Sequence, residues 1–142
     1  MIFNSCTRRL TWIDPNFMKM LVIDDSKPMR TFLTYLAGQM AFKTSEASDG
    51  REALDLLVKN DPREPFDVAL VDWDMPRMNG LQLVQALRRN PDFSRLKLMM
   101  VTTQNSHDHV AQALQAGAND FLMKPVTQEM LAEKLQILGL LE

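Results

Sequence analysis

Val68-Ala69-Leu70-Val71-Asp72-Trp73-Asp74-Met75-Pro76-Arg77-Met78-Asn79-Gly80 is the stretch on which the fold turns. An apolar run of strand formers, too short for a free-standing helix, stops at a carboxylate; a Pro/Asn/Gly turn follows, and a helical pattern opens at Leu81. A buried parallel strand ends in this way, and ligands of open α/β sheets gather at the carboxyl ends of such strands. Asp72 is therefore the residue to explain.

Upstream, Met20-Leu21-Val22-Ile23 is a first short strand, and it runs into Asp24-Asp25-Ser26. Ser26 can cap a helix with Pro28 in its first turn, and Met29, Phe32, Leu33, Leu36, Ala37 and Met40 recur at helical spacing, with Gly38 near the end. Residues 42–47 alternate weakly and predict a more exposed second strand, closed by Asp49-Gly50. A second helix buries Ala53, Leu54, Leu57 and Val58, and the prolines and charges of residues 60–65 mark a loop before a third strand over 66–72.

Downstream, Leu81, Val84 and Leu87 mark a third helix that ends in Arg88-Arg89, a basic pair suited to a helix C-terminus. Residues 96–102 form a fourth strand ending in Thr102-Thr103, and Val110, Ala113, Leu114 and Ala116 outline a helix that Gly117 can stop. A fifth strand, Phe121-Leu122-Met123, ends at Lys124-Pro125; Thr127 then caps a last helix with Met130, Leu131, Leu135 and Leu138 on its apolar stripe. Five strands alternating with five helices predict an α/β, doubly wound, parallel sheet covered on both faces.

The length of 142 residues suits one domain with a real core. We expect residues 20–142 to form it, and residues 1–19, which show neither period, to be an N-terminal extension or an over-long start; the rival reading packs Trp12, Ile13 and Phe17 as a short appendage. A net charge of -2 gives no electrostatic case for nucleic acid or an anionic membrane, and no apolar run approaches a membrane span. The single cysteine, Cys6, excludes an internal disulfide and a cysteine-rich metal site, which fits the cytoplasm. Eleven methionines, among them Met99, Met100 and Met123, suit core gaps better than metal binding.

Four strands deliver Asp24/Asp25, Asp72, Thr102 and Lys124 to one sheet edge. Crowded carboxylates repel, and if they stay ionised they need a cation; hard oxygen ligands suit Mg²⁺, or Mn²⁺, at a site shared with phosphate. A metal, a hydroxyl and an ammonium around one carboxylate are the parts for phosphoryl transfer.

These features resemble the response-regulator receiver domains of two-component signalling, in form closest to the stand-alone, chemotaxis-type regulators. The resemblance rests on Val22-Ile23-Asp24-Asp25-Ser26, on the stretch from Leu70 to Gly80, on Val101-Thr102-Thr103, and on Ala116-Gly117-Ala118-Asn119-Asp120-Phe121-Leu122-Met123-Lys124-Pro125. It implies a flavodoxin-like (βα)5 fold with strand order 2-1-3-4-5. It implies further that Asp72 takes a phosphoryl group from a phosphohistidine of a histidine kinase or histidine phosphotransfer protein. In the same way Asp25, Asp72 and the backbone carbonyl of Asp74 would hold Mg²⁺, with Asp24 assisting through water. Lys124 would bind a phosphoryl oxygen, Thr102 and Phe121 would switch with it, and the bond before Pro125 is a candidate cis peptide.

Asp74 is acidic where the best-known chemotaxis regulators carry an amide, and Gln104 is uncharged; both would bear on phosphoryl lifetime. Phe121 stands in place of the frequent tyrosine. Partner recognition is expected on the fourth helix, fifth strand and fifth helix, toward a separate downstream protein because no output domain follows Glu142, with the chain a monomer or a phosphorylation-dependent dimer. His107 and His109, at i and i+2, do not share a helix face and predict a polar helix start rather than a metal site. Two alternatives stand beside this reading: a haloacid-dehalogenase-type phosphohydrolase using Asp72-Trp73-Asp74, and a receiver-fold binding module that works without phosphorylation.

Overall fold

The computed structural model describes residues 17–103 and 107–142. Five strands, β1 (Lys19–Ile23), β2 (Lys43–Ala47), β3 (Val68–Asp72), β4 (Lys97–Thr102) and β5 (Asp120–Met123), alternate with five helices. The helices are α1 (Lys27–Gln39), α2 (Gly50–Lys59), α3 (Gly80–Arg88), α4 (His107–Ala116) and α5 (Gln128–Ile137). The strands pair in the order β2-β1-β3-β4-β5, all parallel, as the resemblance implied. β1 starts at Lys19, one residue before the expected boundary of the 1–19 extension, and Trp12 and Ile13 of the alternative appendage lie outside the described residues.

The sheet is buried where the sequence is continuously apolar. β3 is buried at every position, and its alternate side chains feed two cores, Ala69 and Val71 on one face, Val68 and Leu70 on the other. Leu21, Ile23, Leu83, Leu87, Leu98 and Met100 share the first core, while Met20, Leu33, Met99, Leu122, Leu131 and Leu135 share the second. β2 is one of the two edge strands, and its exposed Lys43 and Glu46 suit an edge.

Three predicted core residues face outward instead. Phe32, Val58 and Leu114 are exposed. Each lies at the margin of its helix's apolar stripe, and a helix lying on one sheet buries only the arc centred on that sheet: Leu33, Leu36 and Ala37 in α1, Ala53 and Leu57 in α2, Ala113 in α4. Ser26, Asp49, Asn79 and Thr127 each cap a helix with the side chain accepting a backbone amide. α1 ends without a glycine: Phe42 N–H bonds Ala37 O, Ala41 N–H bonds Gly38 O, and Ala41 takes the left-handed position with φ 65.

Arg88 donates to the carbonyls of Gly117, Phe93 and Leu96 and to Asn119 Oδ1, tying α3 to the loops below β4 and β5. Among the described residues no helix is long and apolar enough to cross a membrane.

Candidate functional site

Asp72 is the last residue of the central strand, so it lies between the ends of β1 and β4. Carboxylate oxygens of Asp24, Asp25 and Asp72 fall within 4.8 Å of one another. Lys124, the first residue after β5, reaches back to them: its Nζ lies 3.3 Å from Asp72 Oδ1 and 3.4 Å from Asp24 Oδ2. Thr102 ends β4, buried, and its carbonyl accepts the Lys124 amide at 2.7 Å. Residues far apart in sequence thus form one cluster because their strands are parallel.

Burial decides the electrostatics. Asp72 is 7% exposed, and loss of water, reinforced by the negative charges of Asp24 and Asp25 and only partly offset by Lys124, pushes its carboxyl from the ordinary 3.8 up to about 6. Burial alone would lower the Lys124 ammonium, but Asp72 and Asp24 outweigh it and hold that pKa above the ordinary value. Three carboxylates facing one ammonium leave an excess of negative charge among hard oxygen donors, which fits a small divalent cation.

Local chemistry sets each carboxylate. Asp24 Oδ1 accepts the Ser26 amide at 2.9 Å, and Arg30 Nη1 donates to the Asp24 carbonyl at 2.7 Å, so the residue is braced from the α1 side. Beyond Asp72, Gly80 N–H donates to Trp73 O at 2.9 Å, and a Cβ on Gly80 would lie 2.5 Å from Asp72 O. Only glycine lets α3 begin this close to the strand end. Asn79 and Gln82 complete a reciprocal capping box at that helix start.

A family profile described as "Response regulator receiver domain" matches residues 20–136. The chain belongs to the response-regulator receiver family. Among its relatives, a chemotaxis protein CheY homolog of Campylobacter jejuni is 41% identical over 124 residues, covering 86% of this chain and 93% of the relative. The chemotaxis protein CheY of Pseudomonas aeruginosa is 37% identical over 120 residues, 84% of this chain and 94% of its own. The solved structure of the chemotaxis response regulator CheY4 of Vibrio cholerae superposes with a TM-score of 0.78 at 31% identity, covering 87% of this chain and 99% of the other. Receiver membership sets aside the phosphohydrolase alternative and makes the chain a signalling-type domain rather than a member of a conventional enzyme family.

The remaining predicted positions of this receiver are Asp74, Phe121, Pro125 and Gln104. Asp74 is exposed two residues past Asp72, and the Lys124-Pro125 peptide is cis. Phe121 is half-buried on β5, with Lys134 Nζ 4.9 Å from its ring centroid and bonded to Asp120 Oδ1 at 2.8 Å. Gln104 lies outside the described residues.

Two features escaped sequence reasoning. His109 is not simply a solvated helix start: its ring stacks on Trp73 with centroids 4.3 Å apart and planes 3° apart, while His107 is exposed. Arg77 bonds the buried cap Asp49 of α2. Both are contacts between elements distant in sequence, and no spacing within either element signals them.

Proposed function

We propose that this receiver is a single-domain response regulator that accepts a phosphoryl group on Asp72 from a phosphohistidine of a histidine kinase or histidine phosphotransfer protein, in the cytoplasm. The observation that carries the reading is the convergence of Asp24, Asp25 and Asp72 within 4.8 Å, with Lys124 against two of them. Asp25, Asp72 and the Asp74 carbonyl would hold Mg²⁺, with Asp24 acting through water. When bound, the ion offsets the carboxylate charge and that of the incoming phosphoryl oxygens.

With a pKa of about 6 in the metal-free chain, Asp72 is mostly ionised at neutral pH and is available as the nucleophile. Its carboxylate oxygen attacks phosphorus, the new P–O bond forms as the P–N bond to imidazole breaks, and the departing nitrogen keeps the electron pair and is released as neutral imidazole after protonation. Lys124 neutralises a phosphoryl oxygen and Thr102 donates its hydroxyl to another. The acyl phosphate carries up to about two negative charges where the ionised Asp72 carried one, and the Thr102 hydroxyl and the Lys124 ammonium satisfy its oxygens in one arrangement of their loops. Phe121 follows that rearrangement, and the α4-β5-α5 surface carries it to a separate downstream protein.

Incubation with acetyl phosphate and Mg²⁺, followed by intact mass, tests this reading. Wild type gains one phosphoryl group, and Asp72→Asn gains none. Absence of the adduct under conditions that label another receiver contradicts the proposal and favours a binding module that works without phosphorylation.

A further inference from the structure

On the sheet edge that carries the acidic cluster, the loop between β3 and α3 is fastened to the start of α2. Arg77 lies in this loop with φ 64, a left-handed conformation that non-glycine residues rarely adopt. Its Nε and Nη2 both donate to Asp49 Oδ2, at 2.9 and 2.7 Å. The Asp49 side chain is 6% exposed and that of Arg77 is 64% exposed, so the loop reaches in from the surface to a buried carboxylate. The other oxygen of Asp49 is already committed to the α2 cap, accepting the Glu52 amide at 2.8 Å.

A second contact lies beside the first. Gly50 N–H donates to Met78 O at 3.1 Å, and a Cβ on Gly50 would stand 2.7 Å from that oxygen, so loop and helix start are in direct backbone contact. Burial would raise the Asp49 carboxyl, but the Glu52 amide and the Arg77 guanidinium together bring it below its ordinary value, keeping the pair charged at neutral pH. A strained backbone held by a charged, half-buried contact is a placed feature rather than a loose surface pair.

We propose that Arg77 is a positioning residue for the cation: by clamping the β3–α3 loop to Asp49 it holds the Asp74 carbonyl where Mg²⁺ needs it. This rests on the reading of that carbonyl as a metal ligand. Contacts that orient a ligand from behind commonly govern metal affinity by ten- to a hundredfold.

Calorimetric titration of Mg²⁺ alone into wild type, Arg77→Gly, Arg77→Lys, Asp49→Asn and the Arg77→Gly/Asp49→Asn double variant tests it, with thermal unfolding alongside. Glycine accepts the left-handed backbone, and asparagine caps a helix as well as aspartate does, so each change removes the clamp while sparing the local fold. Arg77→Gly and Asp49→Asn should each weaken Mg²⁺ binding about tenfold or more, Arg77→Lys should recover part of the loss, and the double variant should be no weaker than either single one. Arg77→Gly, which leaves the Asp49 carboxylate buried without its counter-ion, should also lower the unfolding midpoint, whereas Asp49→Asn should stay close to wild type, so that a loss of Mg²⁺ affinity shared by both reports the clamp and not stability. Wild-type affinity in Arg77→Gly, or losses that add in the double variant, would overturn the clamp. Wild type that itself takes up no Mg²⁺ would overturn the cation reading, and the clamp with it.

Discussion

Asp72 is costly to ionise in the place where the fold puts it. The folded pKa of about 6 lies above the ordinary 3.8, so the folded chain binds the proton more tightly than the unfolded one. The resulting stabilisation is complete below pH of about 4 and is lost as the pH rises through about 6. Asp72→Asn, which has no charge to desolvate, should therefore be more stable than wild type by about 1–3 kcal/mol at pH 8 without metal, the gap narrowing toward pH 4 and on addition of Mg²⁺. Urea unfolding at the two pH values measures it, and a gap that widens on acidification would contradict the assignment. Sequence patterning located Asp72 because a strand that stops at an acid is a local signal. It could not place the Arg77–Asp49 bond, whose partners lie on separate elements, nor the ring stack of Trp73 on His109.

Elements show the same division between local and distant causes. Strand and helix identities follow from apolar periodicity, so all five alternations were legible, whereas Phe32, Val58 and Leu114 were not: the width of a buried arc depends on how closely each helix lies on the sheet. The end of α1 is a case where the chain forgoes a local rule. Ala41 occupies the left-handed turn position that glycine usually takes, with φ 65. Ala41→Gly removes the steric penalty at some gain in unfolded-chain entropy, and should raise stability by about 0.5–1 kcal/mol. Thermal or denaturant unfolding checks it; a loss of stability would show that the Ala41 side chain is needed at that turn.

At the scale of the whole molecule, parallel topology is what makes the site. Strand order 2-1-3-4-5 places the ends of β1, β3 and β4 side by side, with β5 next to β4 so that Lys124 reaches Asp24 and Asp72. The order itself came from the family resemblance, because alternation alone is compatible with other doubly wound arrangements. The central proposal is that this topology makes Asp72 the phosphoacceptor. Its most direct test is to react the chain with acetyl phosphate and Mg²⁺, reduce the acyl phosphate with borohydride, and map the modified peptide by mass spectrometry. Reduction is expected at Asp72 alone, dependent on both phosphodonor and Mg²⁺; reduction at another carboxylate, or none in a chain that binds Mg²⁺, would refute that role for Asp72.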